Sequence, residues 1–181
     1  MRKGEVDIRL SELHEVASLS SLDRRAIRRY GGSRIDVGLN VRMESDVKNS
    51  TVTMVVGVAY NTTRHIMRER LLQYTVAAEF EVDSLSEHLQ ADGVEAIVSA
   101  QLMRLMLSVT IGSLRGMLAL RTASTKLAAY PMPIFDLTEI ISRMSYDDGS
   151  VKSPFTQLVS RYRYRSESGR YGRVAADAVV L

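Results

Sequence analysis

Three stretches of the chain alternate apolar and polar residues with a period of two, the pattern of strands with one face in a core and the other in water. In the first, Ile35, Val37, Leu39, Val41 and Met43 share one side, with Arg34, Asp36, Asn40, Arg42 and Glu44 opposite. In the second, Val52, Met54, Val56, Val58 and Tyr60 share a side; in the third, Leu72, Tyr74, Val76, Ala78, Phe80 and Val82 do so. The polar links 46–50 and 61–64 suit antiparallel hairpins. An extended piece at Val6–Leu10 adds a fourth strand. Between it and the others, Ser21–Tyr30 reads as a short basic helix stopped by Gly31-Gly32.

The period then changes to about 3.6 residues. Asp92 and Gly93 open a helical stretch from Val94 to about Leu120, which would run about 40 Å at roughly 1.5 Å per residue. Val94, Ile97, Val98, Leu105 and Val109 make one stripe, and Met103, Met106, Leu107, Leu114, Met117 and Leu118 make another. A helix apolar on two sides needs two covers, its own sheet and something else, so the second stripe is assigned to an oligomer interface. Gly112 and Gly116, four apart, either admit a neighbouring backbone or mark an end or kink of the helix. Next, Tyr130-Pro-Met-Pro-Ile-Phe-Asp136 is an extended loop carrying large apolar side chains, because its prolines forbid helix. A short helix, Leu137 to Met144, follows. The reading is an α+β domain over 1–145 with a basic extension over 146–181.

Composition removes several function classes. The 181 residues include no Cys, which excludes disulfides, thiol nucleophiles and thiolate metal sites. The charged start Met1-Arg2-Lys3-Gly4-Glu5 lacks the apolar run of a secretory signal. Glu95, Gln101, Arg104 and Arg115 interrupt the longest apolar region, against a membrane span. A soluble, cytoplasmic protein without membrane insertion is expected. The net charge of +3 is uneven: residues 150–181 hold six basic and two acidic residues, and the remainder is nearly neutral.

No sign of catalysis emerges. His14, His65 and His88 have no ligand spacing among themselves, and no metalloprotease, phosphate-loop or serine-hydrolase motif occurs. The paired acids Asp147-Asp148 and Glu79/Glu81 read as a turn and a solvated strand face. A non-enzyme without cofactor or metal is expected.

The order of four strands, long apolar helix, proline loop and short helix resembles the SecB-like export chaperones. The residues that carry the likeness are Ile111-Gly-Ser-Leu-Arg-Gly-Met-Leu-Ala119 and Tyr130-Pro-Met-Pro-Ile-Phe-Asp-Leu-Thr-Glu-Ile-Ile141. They are similar to the divergent branch of that family, over about residues 5–145. The resemblance implies a homotetramer, a dimer of dimers with long helices between sheets, that holds unfolded polypeptide in apolar grooves without nucleotide. Family members hand preproteins to the translocation ATPase, SecA, or guard antitoxins. Two features depart from the pattern: Ala96-Ile-Val-Ser99 replaces a Phe-Pro-Tyr segment, and the chain is basic where export chaperones are acidic. The expectation of fold therefore reaches further than that of docking on the ATPase.

The resemblance implies a client groove lined by Tyr130, Met132, Ile134, Phe135, Ile140, Ile141 and Met144 with the early residues Leu19, Leu22, Ile27 and Tyr30. Met suits a promiscuous surface. The other reading is that each of these fills the domain's own core. In the extension, Arg161, Tyr162, Arg163, Tyr164 and Arg165 either bind nucleic acid, by phosphate neutralisation and base stacking, or form a charged edge strand with the tyrosines on one face. The expected function is ATP-independent holding of unfolded or nascent polypeptides. A nucleic-acid-binding or purely structural oligomer is the alternative.

Overall fold

The computed structural model describes residues 7–20, 34–64, 67–85, 89–92, 95–145, 155–156 and 162–164. Four long strands, β1 (Ile8–Ser20), β2 (Arg34–Asp46), β3 (Thr51–Arg64) and β4 (Met67–Val82), pair antiparallel in the spatial order β1–β4–β3–β2. Three strands in chain order are followed in space by the first, a Greek-key arrangement. The alternating segments are β2, β3 and β4, and register lines up their apolar faces in rows. Val37, Tyr60 and Leu72 make one row, Leu39, Val58 and Tyr74 the next, and Val41, Val56 and Val76 a third; all nine are buried. Each large side chain so buried contributes about 1.5–3 kcal/mol, and a one-residue slip would turn the whole set outward.

Two strand boundaries differ from the sequence reading. Residues 61–64 belong to β3, because Arg64 pairs with Met67; the register shift between Tyr60 and Asn61 ends the visible alternation there. β1 extends to Ser20, with register shifts between Leu10 and Glu12 and between Glu15 and Ala17. Each extra residue resets the parity, so Leu10, Leu13, Glu15 and Ser18 stand opposite Phe80, Ala78, Val76 and Tyr74 on one face. The segment Ser21–Tyr30 lies outside the described residues.

The β2–β3 turn is built by Asp46. Its Oδ1 accepts from the backbone N–H groups of Lys48 (3.0 Å) and Asn49 (3.2 Å), and its Oδ2 accepts from Asn49 Nδ2 (2.8 Å). The side-chain bond from Asn49 is the first cause of a carboxyl pKa held below the usual value.

Helix α1 is Ala100–Thr122, six residues shorter at its start than expected. Residues 89–98 form a separate hairpin, β5 (Leu89–Asp92) with β6 (Glu95–Val98). Asp-Gly is a hairpin signal as well as a helix opener, and pairing of Asp92 with Glu95 is the outcome here. Ser99 is the cap: its Oγ accepts from Leu102 N–H at 3.4 Å. α1 packs on β3 and β4 through Leu102, Met103, Met106, Leu107, Ile111, Leu114 and Leu118, all buried. By length and composition alone α1 could cross a membrane, but this apolar stripe is covered by the sheet.

A 3-10 turn (Lys126–Ala129) leads through residues 130–136 to α2 (Leu137–Ser145). The C-terminal segment then adds two short strands, β7 (Phe155–Thr156) and β8 (Tyr162–Tyr164), to the edge of β2. The architecture is α+β: an antiparallel sheet, a long helix on one face and a short second helix.

Candidate functional site

The proline loop is held at its middle and at its far end. Arg115, in the middle of α1, donates from Nη2 to the Pro133 carbonyl oxygen at 3.1 Å. Asp136 caps α2, its Oδ1 accepting from Thr138 N–H at 2.8 Å. Around these anchors Met132 and Phe135 turn into the core with Ile140 and Ile141, and Tyr130 packs half-buried against it. Ile134 points the other way and is 83 % exposed.

The candidate groove residues therefore divide. Met132, Phe135, Ile140 and Ile141 are core, the second of the two readings. Ile134 and Leu19, 60 % exposed on the face of β1 away from α1, are open to a ligand. Met144 lies in α2, and its side chain is outside the described set; Leu22, Ile27 and Tyr30 also lie outside it.

The helix stripe assigned to an oligomer interface needs correction. Met103, Met106, Leu107, Leu114 and Leu118 are buried within the single chain, and Met117 packs against the same core. A side chain already covered by its own sheet has no surface left for a partner. The open side of α1 carries Leu105, Val109 and Leu120, the last 82 % exposed, beside Gly112 and Gly116. A Cβ added at either glycine would meet nothing within 4 Å. The helix runs unbroken through both, so neither ends it.

β1 supplies apolar residues that the sequence reading missed. Leu10, Leu13 and Val16 are exposed, and no described strand pairs with the outer edge of β1. The end of α1 is tied to this strand: Arg121 Nη2 donates to Ser18 Oγ at 3.2 Å and lies 3.6 Å from Glu15 Oε1. Burial, then a hydrogen bond to Glu15, pushes the phenol pKa of Tyr74 up. Arg121 thus ties the end of α1 to a strand whose outer edge is open among the described residues and bears large apolar side chains. Main-chain hydrogen bonds at such an edge and apolar contacts along it are what an extended peptide requires. Among the described residues no group of three His, Asp or Glu side chains is placed to hold a metal ion.

In the C-terminal extension, Tyr162 stands opposite Val37, Arg163 opposite Asp36 and Tyr164 opposite Ile35. Arg161 and Arg165 lie outside the described residues.

The fold is thus a Greek-key sheet backed by one long helix, with open apolar positions at one strand edge and on the helix. Among solved structures, the chain is similar to the Mycobacterium tuberculosis Rv1957 SecB-like chaperone in complex with a ChAD peptide from the Rv1956 HigA1 antitoxin. The identity is 13% and the TM-score 0.46, over 71% of this chain and 89% of that one. No protein-family model and no curated protein matches the chain.

Proposed function

We propose that the protein is an ATP-independent holdase that binds unfolded or nascent polypeptide. The observation that carries this reading is the set of large exposed side chains, Leu10, Leu13, Val16 and Leu19, along a strand edge open among the described residues. Leu120 on the helix and Ile134 on the proline loop are further large apolar side chains left exposed. Binding would rest on many weak contacts at roughly 25 cal/mol per Å² of apolar area, with little side-chain specificity. Discrimination is then kinetic, since a chain that folds fast withdraws its apolar groups. Export substrates or antitoxins are the client classes that the SecB-like resemblance brings to this reading, in a cytoplasmic setting.

The test is a fluorescence-anisotropy titration of a labelled, permanently unfolded polypeptide at about 0.2 M salt, which suppresses phosphate-type contacts. Saturable binding that native protein fails to compete is the expected result; no binding rejects the function. The nucleic-acid alternative needs Tyr162 and Tyr164 free for stacking, and their register positions beside Val37 and Ile35 count against it.

The open stripe Leu105, Val109 and Leu120 supports assembly into an oligomer as a second property of the same surface. Sedimentation equilibrium would decide this, a monomer at all concentrations being the contrary result.

A further inference from the structure

The C-terminal segment meets the sheet along the edge of β2. Five described positions of it pair with β2: Phe155 with Arg42, Thr156 with Val41, and the triplet Tyr162, Arg163 and Tyr164 with Val37, Asp36 and Ile35. By contrast β2 pairs with β3 along its whole length.

Asp36 sits at the centre of the triplet. It is 9 % exposed, and its Oδ1 accepts no hydrogen bond among the described residues. A carboxylate withdrawn from water this far needs a cation or donor brought to it. The residue in register with it on the neighbouring strand is an arginine. On either side of Asp36 the β2 edge presents Ile35 and Val37, buried members of the core face, and the tail places a tyrosine at each position. Cross-strand neighbours of this kind are where strand pairing gains its side-chain selectivity. Register thus sets a tyrosine, an arginine and a tyrosine of the tail opposite Val37, Asp36 and Ile35.

We propose that the edge of β2 at Ile35–Val37 is an acceptor site for an extended polypeptide with a basic residue between two large apolar ones, and that the protein's own Tyr162-Arg163-Tyr164 occupies it in cis. A segment tethered in the same chain acts at an effective concentration of about millimolar. An incoming polypeptide must outcompete it, so the tail sets a threshold for binding. The inference rests on the polypeptide-binding reading only in taking extended chains as ligands.

The experiment uses the full chain and a fluorescein-labelled synthetic peptide of residues 155–165 as probe. In the full chain, Arg163→Glu reverses the charge in register with Asp36, and Tyr164→Pro removes a backbone N–H from the tail. This variant is expected to bind the probe at least about ten-fold more tightly than the unaltered chain. Hydrogen exchange at the β2 amides should rise in the variant and fall again when probe is added. A probe carrying Arg163→Glu should lose the gain, which tests the Asp36 pairing without altering the buried acid. Equal affinity of all chains for the probe, or equal binding of the two probes, overturns the proposal. Binding of an unfolded polypeptide with no gain for the probe overturns this inference alone. A gain for the probe with no binding of unfolded polypeptide overturns the holdase reading and leaves the acceptor site standing.

Discussion

Arg115 Nη2 donates to the carbonyl oxygen of Pro133 at 3.1 Å, so the middle of the long helix fixes the loop that displays Ile134. The bond spans 18 residues of sequence and joins two elements that the proline-rich segment would otherwise leave loosely coupled. Replacing Arg115 by Met keeps most of the aliphatic stem and removes the donor. The expected cost is about 1–2 kcal/mol in urea denaturation, the range for a part-buried bond from a charged group. A variant as stable as the parent would show that the loop is held by its apolar anchors alone.

Ile134 and Phe135 are adjacent in sequence and opposite in role. Phe135→Ala should destabilise by about 3–5 kcal/mol, as a buried aromatic truncation does. Ile134→Ser should change stability by no more than about 0.5 kcal/mol and weaken binding of the unfolded polypeptide. Denaturation and anisotropy titrations on the same two variants separate these effects. Unchanged binding by the Ser variant removes Ile134 from the ligand surface.

Tyr74 makes stability fall in alkali. Burial is the leading cause of its raised pKa, followed by the bond to Glu15. The neutral phenol is the form the fold favours, so its contribution is complete below the ordinary tyrosine pKa of 10.0 and is lost as pH rises through the higher folded value. Ultraviolet titration should show a tyrosinate appearing later than in the unfolded chain, and Tyr74→Phe should abolish that late step. A late step that persists in Tyr74→Phe assigns it to another residue.

Gly112→Ala and Gly116→Ala should each stabilise the chain by up to about 1 kcal/mol, since glycine is costly inside a helix and the new methyl meets nothing. If this side of α1 packs against another copy, Gly112→Leu should shift sedimentation towards the monomer while leaving the helical circular dichroism intact. Unchanged sedimentation of an oligomeric parent would move the interface elsewhere.

The legible parts of the fold were those where period and geometry agree. β2, β3 and β4 alternate without interruption over their central residues, and the faces read from Val37, Val56 and Val76 are the observed core. β1 was barely visible because its two register shifts place Leu10, Leu13 and Glu15 on one face at unequal spacing. The start of α1 was misplaced because Asp92-Gly93 signals equally a helix opening and a hairpin. The candidate surface was harder still. Apolar type alone does not separate Ile134 from Phe135, since hydrogen bonds from Arg115 and to Asp136 decide which of them faces inward. On α1, the stripe from Met103 to Leu118 is the one the sheet covers, and of the other stripe only Leu105 and Val109 lie in the helix.

The Greek-key order has a consequence for the time course of synthesis. β1 ends at Ser20, yet its partner β4 runs to Val82, so Ile8 pairs with a residue made more than 70 positions later. At roughly 5–20 residues per second Ile8 must wait on the order of 4–15 s on the ribosome for its partner. For that interval Leu10, Leu13, Val16 and Leu19 have neither neighbour nor helix beside them, and the closing contact is one of high sequence separation, the slow kind. A protein proposed to shelter unfinished chains is, for the first seconds of its existence, one of them.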